Sequence, residues 1–466
     1  MGDIRRVALA GATAALLGTS LLAPHAQARS WQFVTTRIPD TGGPYAEPRA
    51  AIAPGDHHYI TTSASSLEQV VYGSPDGIRW NKLANPPNQV VQTSDVDVVA
   101  LPTGRVLASE LDGVGFSFVT SYSDDQGQSW KMSLGTRYPD SDRQFFATGP
   151  NDPRTTQPRV YMVFHNLFSG LVTHNIFVST STDGGQSFGV PVPITSPGQQ
   201  AYLDLQCADG YQSNIFVNQK TGQVYVAFGT RSSPIGGCGA QPLAYNIVPS
   251  DRVWVAKASL DGATQASGWT SSLAVDNSSS GKLTAMQFAP GAVDDAGNVF
   301  VVYAESPHRY PNYDGAAIKF VHAGPELTRW SKPITVAPSG GVGHILPHVV
   351  AGDAGKIALA YYTGNNDRVW HSEVAQILDA LALKPHITRT RPARVAVEYG
   401  SASKLMGQCN GCNRSADLFG IALDSCGRLF VAFPAETGSA SVQGTYASQQ
   451  VSGQRLRSAS CPPVRR

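Results

Sequence analysis

"PGAVDDAGNVFVVYAES" occupies residues 290–306, and its pattern decides the architecture. A short apolar stretch leads into Asp-Asp-Ala-Gly-Asn, and a second, rich in Val, Phe and Tyr, leads out. β-Branched and aromatic residues suit the pleated surface of a strand. The Gly supplies the positive φ that a tight reversal needs. The segment therefore reads as a β-hairpin. The pattern returns in "RAAIAPGDHHYITTS" (49–63), "DVVALPTGRVLASE" (97–110), "QFFATGPNDPRTTQPRVYMVFHN" (144–166), "SNIFVNQKTGQVYVAFG" (213–229), "PHVVAGDAGKIALAYYTG" (347–364) and "FGIALDSCGRLFVAFPA" (419–435). Seven copies at a spacing of about 45 to 75 residues mark a repeat architecture.

A second hairpin follows most copies, as in "VVYGSPDGIRWNKL", "FVTSYSDDQGQSWKMS", "IFVSTSTDGGQSFGVPV", "VWVAKASLDGATQASGWTS" and "IKFVHAGPELTRWSKPI". One unit is thus four strands. Such units repeated around an axis are the blades of a β-propeller, so the fold class is all-β, with seven blades expected and six the alternative. The last copy has a third strand, "SVQGTYASQQV", but little sequence for a fourth. "SWQFVTTRIP", ahead of the first copy, can complete that blade and close the ring between the termini, which removes exposed strand edges. One segment, "HSEVAQILDALALKPH" (371–386), has helical spacing and helix formers, and is expected to be a short helical decoration.

The chain has 466 residues, 46 Gly and 31 Pro, with 15% charged, which fits a turn-rich β protein. Lys+Arg 35 against Asp+Glu 34 gives no basic field to attract nucleic acid or an anionic membrane. Residues 1–28 read as a signal peptide: Arg5 and Arg6, then "VALAGATAALLGTSLLA", then the small-x-small site "AQA". No other segment approaches the ~20 apolar residues that span a bilayer. The expected product is a secreted, monomeric, single-domain protein of residues 29–466. Six cysteines in an exported chain read as disulfides. Proximity suggests Cys207–Cys238, Cys409–Cys412 and Cys426–Cys461; "CNGC" as half a zinc site or a redox motif is the alternative.

Two turns share a frame: "SDDQGQSW" (123–130) and "STDGGQSF" (181–188). "SPDGIRW" (74–80) is one residue short of it, and "SLDGATQASGW" (259–269) is stretched. Asp76, Asp125 and Asp183 can accept hydrogen bonds from their own turn, as Asx turns do. Gly127 and Gly185 permit the bend, and Trp130 and Phe188 can pack back between sheets. The frame resembles the Asp-box, or bacterial neuraminidase repeat, of the sialidase superfamily, and the repeat pattern behind that resemblance covers about residues 31–450. These turns join the third and fourth strands of a unit. In a four-stranded meander the 1–2 and 3–4 turns share one face of the disc. The 2–3 loops and 4–1 connections share the other, and function is expected there.

That mouth collects Glu110, Asp112, His165, Asn166, Arg231, Glu305, His308, Arg309, Tyr310, Tyr362, Asn366, Asp367 and Arg368 after second strands. Before first strands come Glu47, Arg49, Asp95, Asp97, Asp142, Arg143, Asp209, Tyr211, His344, His348 and Asp417. The resemblance implies a carboxylate held by three arginines, a Tyr nucleophile activated by a Glu, and an Asp acid/base. "TRIPD" is similar to the Arg-Ile-Pro motif of that superfamily, so it implies substrate-binding roles for Arg37, Arg231 and Arg309. Tyr362 with Glu305 would attack, with Asp95 or Asp142 as acid. The acidic segment that should follow the Arg-Ile-Pro strand is absent, since Asp56 falls in a 1–2 turn.

Two other readings stand beside a sialidase-type glycosidase. A different polysaccharide hydrolase could use paired carboxylates such as Glu47 and Asp142, whereas a lyase would need a His or Tyr base, for which His165 and Tyr211 are candidates. A non-catalytic propeller could bind a glycan or a protein. No cofactor is called for, although "DVD" at residues 95–97 could offer oxygen ligands to Ca²⁺; strand-edge polarity explains the same residues.

Overall fold

Seven antiparallel sheets of four strands form the blades of a ring, with a short fifth strand added in blade five. The computed structural model describes residues 31–39, 47–63, 68–87, 93–112, 117–166, 174–206, 212–232, 250–284, 288–308, 313–364, 369–400, 405, 419–435 and 443–458. The first strand of each blade is innermost. These strands are Arg49–Ala53, Thr93–Ala100, Ser141–Asn151, Gln212–Val217, Gly291–Val293, Gly343–Ala351 and Gly420–Leu423. Each touches the next around a closed circle.

The ring closes as expected. Gln32–Arg37 is the outermost strand of blade seven, antiparallel to Gly444–Ser452. The N-terminal strand thereby covers the edge that the last C-terminal strand would otherwise expose.

The turn frame holds itself together. In residues 123–130, Ser123 Oγ donates to Asp125 Oδ1 (2.7 Å) and accepts from Gly127 N (2.7 Å), while Ser129 N donates to Asp125 Oδ1 (2.9 Å). Ser181, Asp183, Gly185 and Ser187 repeat this arrangement, and Ser74, Asp76 and Gly77 use a shorter version. Hydrogen bonds from Ser129 hold the exposed Asp125 carboxyl down to about 2. The aromatic that follows each turn packs toward the preceding blade. Trp130 donates to Ala84 O, Phe188 joins Leu107 and Phe118, and Trp80 joins Phe430 of blade seven. Each such ring buries a large apolar area across a blade seam.

The expected helix at 371–386 is not formed. Trp370–Ile377 is the third strand of blade six, paired with Ile357–Gly364 over its whole length. The Ala, Leu and Glu of 371–386 favour a helix, but for the strand, pairing on both sides and burial in the ring outweigh that weak preference. The α-helix of the described residues is Gln200–Gln206, just ahead of blade four. No helix of the described residues is long and apolar enough to cross a membrane. The signal-peptide segment lies outside the described residues, as do all the cysteines but Cys426, which is disulfide-bonded.

Candidate functional site

The inner strands bulge where they enter the ring from the mouth. Register shifts fall between Thr93 and Val96, Asp142 and Phe145, Gln212 and Asn214, and Ile345 and His348. A bulge inserts a residue and re-aims the side chains around it. Arg143 and Leu346 lie in such bulges, with φ of 56° and 53°.

Side chains on these strands reach sideways to the next blade. Phe146 N donates to Asp97 Oδ2 (2.7 Å), and Gln144 Nε2 donates to Asp95 O (3.1 Å). Gln212 Nε2 donates to Arg143 O. Asn214 closes two bonds with the Gly291 backbone (2.8 and 2.9 Å). An axial cavity of about 290 Å³ runs inside this ring, lined among others by Arg49, Asp97, Phe146, Asn214, His348 and Phe419.

A cationic and imidazole cluster lies over blades three and four. His165 is the penultimate residue of the second strand of blade three, directly across from Asp142, and is 1% exposed. Its Nδ1 sits 2.8 Å from Gln212 Oε1, which fixes the ring from the neighbouring blade. Its ring centroid is 6.0 Å from that of His174. The helix explains His174's position: Gln206 accepts from His174 N (3.0 Å) and donates to His174 O (2.7 Å). Arg143, 1% exposed, lays its guanidinium over Phe288 at 5.1 Å. Burial holds the His165 pKa well below its usual value; the charges of His174 and Arg143 push the same way, against Gln212 and Asp95. The imidazole is therefore neutral at ordinary pH, with one nitrogen oriented by Gln212 and the Arg143 charge acting on it.

The other predicted residues are dispersed. Arg231 follows the second strand of blade four and is 7% exposed, on the same face as the cluster. Glu47, just before blade one, and Asp95 are also buried at the mouth. Asp142 Oδ1 accepts from Arg143 N (2.9 Å). Arg37 is not at an inner strand. It ends the outermost strand of blade seven, and its Nε donates to Gln443 O (2.8 Å). Tyr362 is fully buried and stacked on Phe419 at 4.0 Å. Glu305 lies on blade five, with its carboxylate on Lys319, Lys282 (3.0 Å) and Asn277. Burial raises the Glu305 pKa, but the two lysines outweigh it and hold the group below its usual value. Arg309, Asp209, Tyr211, Asp367 and Asp417 lie outside the described residues.

Asp97 is occupied by Arg49 Nε (2.8 Å) and Phe146 N, and the bulge interrupts the alternation ahead of it. On the opposite face Asp56, Asp424 and Cys426 come together. Ser425 and Arg428 engage those carboxylates, and the sulfur is committed to its disulfide.

No protein-family model matches the chain, and no curated protein matches it. Solved structures do. An ulvan lyase of the PL25 polysaccharide lyase family, bound to -[GlcA(1-4)Rha3S]-, aligns at 12% identity with a TM-score of 0.54, covering 91% of this chain and 96% of its own. The polysaccharide lyase Uly1 aligns at 9% identity with a TM-score of 0.49, covering 89% and 91%. An α-L-arabinofuranosidase from Fusarium graminearum aligns at 10% identity with a TM-score of 0.46, covering 90% and 97%. At these identities the likeness is one of fold, and with the ulvan lyase it extends around nearly the whole ring.

Proposed function

We propose that the chain is a polysaccharide lyase that cleaves a uronate-containing polysaccharide at the mouth over blades three and four. The observation that carries this reading is His165, buried, neutral, fixed by Gln212 and flanked by Arg143 and His174. β-Elimination needs that equipment. A neutral base removes the proton on the carbon bearing the uronate carboxyl. Cationic groups, here Arg143 and Arg231, stabilise the charge that develops on the carboxylate. The electron pair forms the C4=C5 double bond, the C4–O bond breaks, and a proton returns to the leaving oxygen. A carboxylate docked beside Arg143 would offset the charge that depresses the His165 pKa and strengthen the base on substrate binding.

A glycosidase needs a carboxylic acid with a raised pKa. Glu305, a mouth carboxyl among the described residues, is displaced downward, away from that requirement. A sialidase-type site needs Tyr362 against Glu305 with Arg37 nearby; Tyr362 instead stacks in the core, Glu305 holds two lysines, and Arg37 is on an outermost strand. The predicted leader and the polymeric substrate both support an extracytoplasmic site of action.

The test is incubation of purified protein with ulvan, following the ultraviolet absorbance of the unsaturated uronate. Absorbance should rise, and His165→Ala should lower the rate by about 10²- to 10⁴-fold, the usual span for general acid–base catalysis, while Tyr362→Phe retains activity. Release from a fluorogenic sialoside that is lost in Tyr362→Phe, with no absorbance change on uronates, would overturn the reading.

A further inference from the structure

The outer wall between blades six and seven carries a groove of about 430 Å³, remote from the His165 cluster. Phe33, Thr35 and Tyr446 of blade seven form one side, and residues 391–395 of blade six form the other. The pairing of aromatic surface with cationic groups sets it apart.

The basic character is local. Net charge over the whole chain is +1, yet "ALALKPHITRTRPARVAV" (380–397) holds Lys384, Arg389, Arg391 and Arg394 with no acidic residue. Arg391 and Arg394 both line the groove and are exposed. Neither makes an ion pair or hydrogen bond among the described residues. Across the groove, Arg37 is close enough for its charge to pull down the Tyr446 pKa, although burial leaves that pKa raised. Two exposed guanidinium groups thus line the groove beside its aromatic floor.

The groove is built. Thr35 Oγ1 donates to Pro392 O (2.7 Å), which pins the arginine segment to the closing strand. Tyr446 is backed by Phe433, stacked at 5.9 Å, and Phe33 by Trp31 at 5.2 Å. From here the chain returns to the mouth, where Val397 N donates to Trp370 O and Trp370 N to Glu398 O. The groove therefore joins the outer wall to the face that carries the candidate site.

We propose that this groove is a second binding site for an anionic polysaccharide, holding a length of the polymer away from the point of cleavage. Sugar rings stack on aromatic faces, and planar guanidinium groups pair with carboxylates and sulfates bidentately. The ligand class rests on the lyase reading; the groove itself does not.

The experiment uses full-length protein carrying His165→Ala, so that bound polymer is not consumed. Affinity electrophoresis is run in gels containing ulvan, neutral dextran or double-stranded DNA, and the triple variant His165→Ala/Arg391→Ser/Arg394→Ser is compared. Ulvan should retard the His165→Ala protein and the triple variant about tenfold less, with no retardation in dextran. In the His165-containing protein, Arg391→Ser/Arg394→Ser should raise KM on the polymer and leave turnover of a short oligosaccharide unchanged. Equal retardation of both proteins by ulvan, or retardation by DNA as strong as by ulvan, would overturn the proposal. Loss of binding in the triple variant without any lyase activity in the His165 protein would sustain the groove and sink the lyase reading.

Discussion

Acidification should destabilise this protein through His348, by an amount that can be isolated. The residue lies on the inner strand of blade six and is 5% exposed. Its ring faces Phe419 at 5.9 Å, and Nδ1 reaches only a long contact to Leu346 O (3.4 Å). Burial, then the charge of Arg49, bring its pKa down to about 3. Above the unfolded value of 6.5 the ring is neutral in both states. Below it the unfolded chain takes up a proton that the native state refuses, so stability falls as pH drops from 6.5 toward about 3. At about pH 5 the solution is ~1.5 pH units below the unfolded pKa and still above the native one, so protonation of the unfolded chain is worth ~2 kcal/mol. Burial also lowers the pKa of His58, His165 and His344, so the wild type loses more in total. Urea unfolding of wild type and His348→Gln at about pH 7 and pH 5, followed by Trp fluorescence, cancels those shared terms. The variant should lose ~2 kcal/mol less than the wild type between the two pH values. An equal loss in both proteins, or a His348 ring that titrates near its ordinary value by NMR, would refute the reasoning.

Asp152→Ala strands Arg159, fully buried, with Asp261 as its remaining carboxylate partner, whose side chain is 71% exposed; urea denaturation should show a loss of about 3–5 kcal/mol, and a loss below ~1 would mean that water reaches the guanidinium. Gly185→Ala places a Cβ 2.1 Å from Leu107 Cδ2 at φ +86°, whereas Gly198→Ala, at φ +93°, meets nothing within 4 Å. By chemical denaturation the first should cost about 1–3 kcal/mol more than the second, and equal costs would show that blade two yields to the turn. Removing residues through 39 uncovers the edge of Gly444–Ser452; the truncated chain should melt lower and associate on size exclusion, and an unchanged monomeric melt would deny the closing strand its role.

The repeat was legible because a blade is a local unit. Alternating apolar residues and a Gly-bearing turn are written within one hairpin, so seven copies predict the ring, and the missing fourth strand of the last predicts its closure. The segment at 371–386 misleads for the opposite reason. Its strand state depends on partners at Ile357–Gly364 and Ile387–Thr390, which local propensity does not weigh. At the site, His165 follows from its place after a second strand. His174 does not, although a 2–3 loop has two ends on the same face and residues just before third strands belong to the mouth as well. Gln212 and Phe288 carry no signal of their own: one orients His165 and the other underlies Arg143 only because neighbouring blades meet there. "TRIPD" is a local match whose meaning depends on the strand that holds it, here the outermost strand of blade seven.

The candidate site gathers where the repeat is broken. A regular inner strand would send alternate side chains toward its two neighbouring blades, and none would be aimed along the axis toward the mouth. The extra residue at Asp142–Phe145 changes that, at the cost of a left-handed Arg143, a conformation worth about 1–3 kcal/mol to a side chain other than Gly. Neighbours supply what holds it: Asp142 Oδ1 accepts from its N–H, Gln212 donates to its carbonyl, and Phe288 supports its guanidinium. Gln212 also fixes His165, so one amide ties the strained backbone of blade three to the orientation of the candidate base. The seam between blades three and four is therefore not a passive join. The same side chain that fastens the blades sets the geometry on which elimination would depend, and the regular turns on the far face leave the mouth free to carry that irregularity.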